Sequence, residues 1–91
     1  MKVIKIKVFG KVQGVWFRKY TQEKALELKL IGYVSNKNDG TVYIEIIDNS
    51  PKVNIFLDWL ENEGSPLSNV TKIEVVTSKK EFNFNTFEIL R

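Results

Sequence analysis

Hydrophobic and polar positions alternate along residues 3 to 9. Ile4, Ile6 and Val8 point one way while Lys5, Lys7 and Phe9 point the other, the period of a strand with one buried face. Gly10 and Gly14 break the alternation over residues 10 to 16. The spacing then turns helical: Phe17, Thr21, Ala25 and Leu28 share a face, which predicts a helix over about 17–28. Gly32 follows, and YVSN at 33–36 reads as a short strand. NDG at 38–40 is a turn signal between strands, and TVYIEIID at 41–48 is the return strand, with Val42, Ile44 and Ile46 toward the core. Ser50-Pro51 reads as a helix start, serine as N-cap and proline at the first helical position. Val53, Phe56, Leu57 and Leu60 are spaced for one face of that helix, and Gly64 fits just past its end. TKIEVVT at 71–77 predicts a strand with Ile73 and Val75 inward, and FNFNTFEIL at 82–90 predicts a last strand.

The element order is β-α-β-β-α-β plus one strand. That order predicts an α+β fold, the ferredoxin-like split βαβ sandwich, with two helices on one face of a mainly antiparallel sheet of four to five strands. The other face is expected to be solvated. It carries Lys5, Lys7, Glu45, Lys72 and Glu74, charges that can pair across neighbouring strands, so the lysines of the first strand are assigned to sheet surface.

Ninety-one residues make a single domain, 1–91. No apolar run approaches the roughly 18 residues of a membrane span, and the N-terminus lacks the long apolar stretch of a signal peptide. A soluble cytoplasmic protein without a membrane partner is expected, and Asn69-Val70-Thr71 is then a chance glycosylation match. Cysteine and histidine are both absent. Their absence excludes disulfides, thiolate nucleophiles, cysteine and histidine metal sites and a histidine general base. The formal net charge is +3 and the pI about 9.2. A lysine-rich soluble surface explains that balance; attraction for anions is the sharper alternative.

Only two of the fourteen basic residues are arginines, Arg18 and Arg91. Arg18 ends the stretch GKVQGVWFR, where a glycine-bearing loop runs into the first helix. Such a loop can turn several backbone N–H groups toward one point, a nest that binds anions. The first turn of the helix adds unpaired N–H groups and the positive end of its dipole. A guanidinium grips two phosphate oxygens where lysine offers a point charge. An ordinary strand-to-helix connection remains the competing reading of the glycines, since neither a P-loop nor a dinucleotide fingerprint occurs here. Asn36, taken alone, is a strand-end or turn residue. Trp59 reads as a partly buried helix residue, and Asp39 as part of its turn.

VFGKVQGVWFR at 8–18 resembles the acylphosphatase signature, an aliphatic residue and spacer, then G-x-V-Q-G-V, a spacer and F-R, matched at every defined position. GYVSNKNDGTV at 32–42 is similar to the second signature of that family through Gly32, Tyr33, Val34, Asn36, Gly40 and Val42. The chain departs from the pattern at Ser35, where a longer side chain is usual, and at Asp48 and Lys29, where glycine is usual. GSPLSNVTKIEV at 64–75 also looks like the family's loop into the fourth strand, so the resemblance covers nearly the whole chain.

The resemblance implies hydrolysis of the carboxyl-phosphate bond of acyl phosphates to a carboxylate and inorganic phosphate, which is both product and competing ligand. It carries the family's phosphate-binding arginine onto Arg18 and its catalytic asparagine onto Asn36. Its phosphate loop maps onto the backbone N–H groups of Gln13, Gly14, Val15, Trp16, Phe17 and Arg18. No metal and no cofactor are implied, and a monomer is expected. The Gln13 side chain can instead bond within the loop, Phe17 reads as core, and Trp16 can cap the pocket and narrow substrate choice. This chemistry suits a chain without histidine, because a carboxylate leaves with little protonation and phosphoryl transfer depends mostly on positioning and electrostatics. Two rivals share the fold. An RNA-recognition module would stack bases on central-strand aromatics, for which TVYIEIID offers only Tyr43, with Glu45 beside it, so a nucleic-acid partner is not expected. An inactive relative would keep the phosphate nest without turnover.

Overall fold

The alternating N-terminal segment forms strand β1, Lys2–Lys11, in a computed structural model that describes residues 2–48 and 51–90. Ile4, Ile6 and Val8 are buried as their alternation predicts. Helix α1 (Phe17–Glu27), strands β2 (Gly32–Asn36) and β3 (Val42–Ile47), helix α2 (Lys52–Asn62) and strands β4 (Asn69–Lys79) and β5 (Phe87–Leu90) follow in the expected order. The five strands make one sheet in the order β4-β1-β3-β2-β5. Every pairing is antiparallel except the parallel β2–β5 edge. Phe17, Thr21 and Ala25 of α1 and Val53, Phe56, Trp59 and Leu60 of α2 are buried, and their apolar members share one core with Val34, Val42, Ile44, Ile46 and the inward residues of β1. This is the ferredoxin-like α+β architecture read from the pattern. Ser50, the expected N-cap of α2, lies outside the described residues; Pro51 directly precedes the helix. Among the described residues no helix is long and apolar enough to cross a membrane.

Three expectations are corrected by tertiary packing. Val75 lies opposite Ile6 and so points toward the helices, but it is 43% exposed. Strand β4 is an edge of the sheet, with a neighbouring strand on one side only. The last strand is shorter than the alternation of 82–90 suggests. It pairs only with β2, and that pairing begins at Gly32 opposite Phe87, so residues before 87 have no strand beside them.

The second face of the sheet is not fully solvated, which is the third correction. Glu45 is buried. Its Oε2 accepts a 2.5 Å hydrogen bond from the Tyr43 hydroxyl, and its Oε1 lies 2.8 Å from Lys80 Nζ in an ion pair. Phe84 packs on Tyr33 with ring centroids 5.0 Å apart, and Phe82 lies 5.2 Å from Phe84. The segment between β4 and β5 thus covers part of this face. Lys5 stands opposite Glu45 in register, yet Glu45 takes its cation from Lys80. Lys7 pairs with Asp39 of the β2–β3 turn at 3.0 Å, and Lys72 with Glu74 of its own strand at 3.1 Å.

Candidate active site

Strand β1 is bulged near its end, at Gly10. The β1–β4 register shifts between Phe9 and Gly10, where the backbone takes φ 122°. A Cβ on Gly10 would lie 2.1 Å from the Asn69 carbonyl oxygen, so only glycine lets the two strands approach. The chain then crosses to α1 with Val12 and Val15 buried as anchors. Gly14 and Trp16 both adopt positive φ, 75° and 64°. Val12 and Val15 thus pin the loop to the core, while its backbone amides take no part in the strand ladder. Among the described residues, no N–H from Gln13 through Lys19 donates to a protein acceptor. Helix α1 has no side-chain cap and no acidic residue in its first turn, so the positive end of its dipole is unopposed.

Arg18, the second residue of α1, is half-buried and makes no ion pair or side-chain hydrogen bond among the described residues. Asn36, the last residue of β2, enters the same space from the sheet side. Its Oδ1 is buried without a hydrogen-bond partner, so the carboxamide keeps bonding capacity that the fold does not use. Gly14, Arg18 and Asn36 line a cleft of about 400 Å³ whose apolar walls are Val12, Phe17, Trp16 and Ile89. Lys19 lies at its edge. A guanidinium, free amides and a helix N-terminus around one cleft favour an anion, and an unsatisfied carboxamide beside them can hold a polar atom.

Two struts fix this geometry. The Gln13 side chain turns away from the cleft, and its Nε2 donates to the carbonyl oxygens of Lys37 and Thr41, both at 2.8 Å. The loop is thereby tied to the turn that follows Asn36. Asp39 shapes the same turn, accepting from the Thr41 N–H at 3.0 Å and the Thr41 hydroxyl at 2.6 Å. The hydrogen bonds from Thr41, with Lys7 beside them, hold the Asp39 carboxyl well below the usual carboxylate range. On the other side, the buried Ser65 hydroxyl donates to the Val15 carbonyl at 2.8 Å. Gly64 precedes it at φ 63°, and a Cβ there would meet the Phe17 ring at 2.9 Å.

Of the residues singled out from the sequence, Gly14, Trp16, Phe17, Arg18 and Asn36 meet at the cleft. Gln13 and Val15 support it from behind, with their backbone N–H groups still unbonded. Phe17 doubles as core, 6.3 Å from Trp59 between ring centroids. The departures at Lys29 and Asp48 lie elsewhere: Lys29 ends α1 at φ 58°, and Asp48 pairs with Lys2 at 3.4 Å. Val12 enters the sequence reading only as a position of the first motif, and Lys19, Ile89 and Ser65 are not singled out there. Lys19 adjoins Arg18 in the first helical turn and could have been found there. Ile89 and Ser65 arrive from distant segments and carry no local signal.

Fold and cleft together define a small α+β protein with a loop of unbonded backbone amides between its first strand and first helix. The sequence pattern of the acylphosphatase family matches residues 4–89. Acylphosphatase-1 of Xenopus tropicalis is 43% identical over 86 residues, covering 92% of this chain and 88% of that protein. The acylphosphatase of Shewanella amazonensis is 45% identical over 75 residues, covering 82% and 81%. The crystal structure of acylphosphatase from Bacillus subtilis superposes with a TM-score of 0.91 at 37% identity and covers 100% of both chains. The chain belongs to the acylphosphatase family and is a hydrolase of that type.

Proposed function

We infer that this protein hydrolyses acyl phosphates by holding the phosphoryl group in the loop from Gln13 to Arg18 and directing water at it from Asn36. The observation that carries the reading is the run of unbonded amides from Gln13 to Lys19 sharing a cleft with an unpaired guanidinium. Amides and guanidinium hold the equatorial phosphoryl oxygens and gather their charge as the transition state forms. The Asn36 carboxamide orients the attacking water. Water attacks phosphorus, the bond from phosphorus to the carboxylate oxygen breaks, and the carboxylate departs with the bonding pair. A phosphoryl oxygen of the substrate accepts the water's proton, because no side-chain base adjoins the cleft among the described residues. No group of three or more metal-ligating side chains occurs among the described residues, so turnover is expected to survive chelator treatment.

The test is benzoyl phosphate hydrolysis by metal-free protein, with inorganic phosphate as competing ligand. Asn36→Ala should lower turnover on the order of 10²- to 10³-fold, the usual cost of one lost polar contact to a transition state, while phosphate still binds. Arg18→Lys keeps the charge but loses the fork, and should weaken both turnover and phosphate inhibition. Near-normal turnover and phosphate affinity in Arg18→Lys would refute the assignment. Base stacking on the sheet is not favoured, because Tyr33 is packed on Phe84 and Tyr43 is bonded to Glu45.

A further inference from the structure

Trp16 carries two unfavourable features at one position. Among the described residues it is the most exposed large hydrophobic side chain, at 73%. It is also held at φ 64°, ψ 17°, a left-handed conformation that disfavours any side chain. Of the five other positive-φ positions among the described residues, four are glycines, Gly10, Gly14, Gly40 and Gly64, and the fifth is Lys29 at the end of α1. Here the chain places the largest side chain and leaves the indole without a ring contact or hydrogen bond among the described residues. Neither packing nor backbone preference accounts for tryptophan at this point. Strained, exposed residues of this kind cluster where ligands are held.

The indole stands on the wall of the cleft that also holds Arg18 and Asn36, beside the apolar side chains of Val12, Phe17 and Ile89. If the loop amides grip the phosphoryl oxygens, the acyl substituent is the part of the substrate left to meet those walls. This step rests on the acyl phosphate reading above. We propose that the Trp16 side chain is a specificity determinant that stacks on the acyl portion of the substrate, so that the protein prefers acyl phosphates with planar aromatic acyl groups over small polar or aliphatic ones.

The test compares kcat/KM for benzoyl phosphate and acetyl phosphate in the wild-type chain, Trp16→Ala and Trp16→Phe. The backbone N–H of residue 16 survives both changes, so the ratio of the two substrates, and not either rate, is the readout. Stacking on an aromatic face supports a preference of roughly three- to tenfold. Trp16→Ala should reduce the benzoyl-to-acetyl ratio by about that factor, mainly through KM for benzoyl phosphate, and Trp16→Phe should restore most of it. Benzylphosphonate should quench tryptophan fluorescence in the wild-type chain, and inorganic phosphate should not. An unshifted ratio in Trp16→Ala overturns the proposal. So does a raised ratio, which would make the indole an obstacle to bulky acyl groups. Wild-type protein that hydrolyses neither substrate would sink the acyl phosphate reading itself, whereas intact hydrolysis with an unshifted ratio sinks this inference alone.

Discussion

Gln13 separates what a side chain does from what its place in a motif suggests. Its backbone belongs to the loop of unbonded amides, but its side-chain amide bridges to carbonyls 24 and 28 positions later. That bridge ties the loop to the turn after Asn36, and under the proposed mechanism it would align the phosphate with the attacking water. Gln13→Ala should lower kcat by about ten- to a hundredfold, since misplacement of about 1 Å between reacting groups has a cost of that order. Phosphate inhibition should weaken far less, because the loop amides remain. A proportional loss of both, measured by initial rates with phosphate as inhibitor, would instead make Gln13 a ligand. Arg18 was legible in the sequence because it is an arginine in a lysine-rich chain, next to a helix start. The partners of Gln13 were not, because hydrogen bonds to a distant backbone leave no mark on residue type.

Helix ends decide how the elements meet. Helix α1 closes with paired bonds, from the Lys29 N–H to the Leu26 carbonyl at 3.0 Å and from the Leu30 N–H to the Ala25 carbonyl at 2.9 Å. This is the Schellman arrangement, which wants glycine at the left-handed position that Lys29 occupies at φ 58°. Leu30 then drops into the core. Lys29→Gly should stabilise the fold by about 0.5–1 kcal/mol, the strain released less the added freedom of the unfolded chain. Thermal unfolding should show Tm rising by a few degrees; a fall would mean that the lysine side chain contributes more than its backbone costs. Helix α2 already ends on a glycine, Gly64, which the pattern of the sequence marked correctly. Gly64→Ala should destabilise, since it adds both positive-φ strain and a contact with the Phe17 ring. The periodicity of both helices was readable because each has a single buried stripe. The extent of β5 was not, because it depends on where β2 begins.

Across the whole molecule, the segment joining β4 to β5 is held on the second sheet face by Glu45, Tyr33 and Tyr43. Burial, and then the Glu45 charge, raise Tyr33 from its ordinary 10.0 to about 12. Tyr43 is raised further, by burial and by its hydrogen bond to Glu45. Burial works against the Glu45 charge, but Lys80 and the two tyrosines outweigh it and leave the carboxyl below its usual value. The linkage has a definite sign on each side. Above pH 10 the unfolded tyrosines lose protons that the folded ones keep, so stability should fall between about pH 10 and 12. On the acid side, the contribution of Glu45 is present above its unfolded value of 4.5 and lost as pH falls through its lower folded value. Chemical denaturation across pH checks both limbs. Glu45→Gln should bring the Tyr33 titration down from about 12 toward 10.0, seen in tyrosinate absorbance, and should speed amide exchange in residues 80–86. An unmoved Tyr33 titration would leave burial as its sole cause.

The sequence alone determined the order of the elements, the buried stripe on each helix, the turns at its glycines and the identity of the loop with its arginine. These are local properties, set by side-chain period and by the few residues that tolerate unusual backbone. Only the tertiary structure decided that Asn36 faces Arg18 across one cleft with Ile89 in its wall, that Gln13 braces the loop from behind, and that Glu45 is buried under the chain's own aromatics. Those outcomes depend on which distant segments become neighbours, a property of the folded sheet order and not of any stretch read by itself.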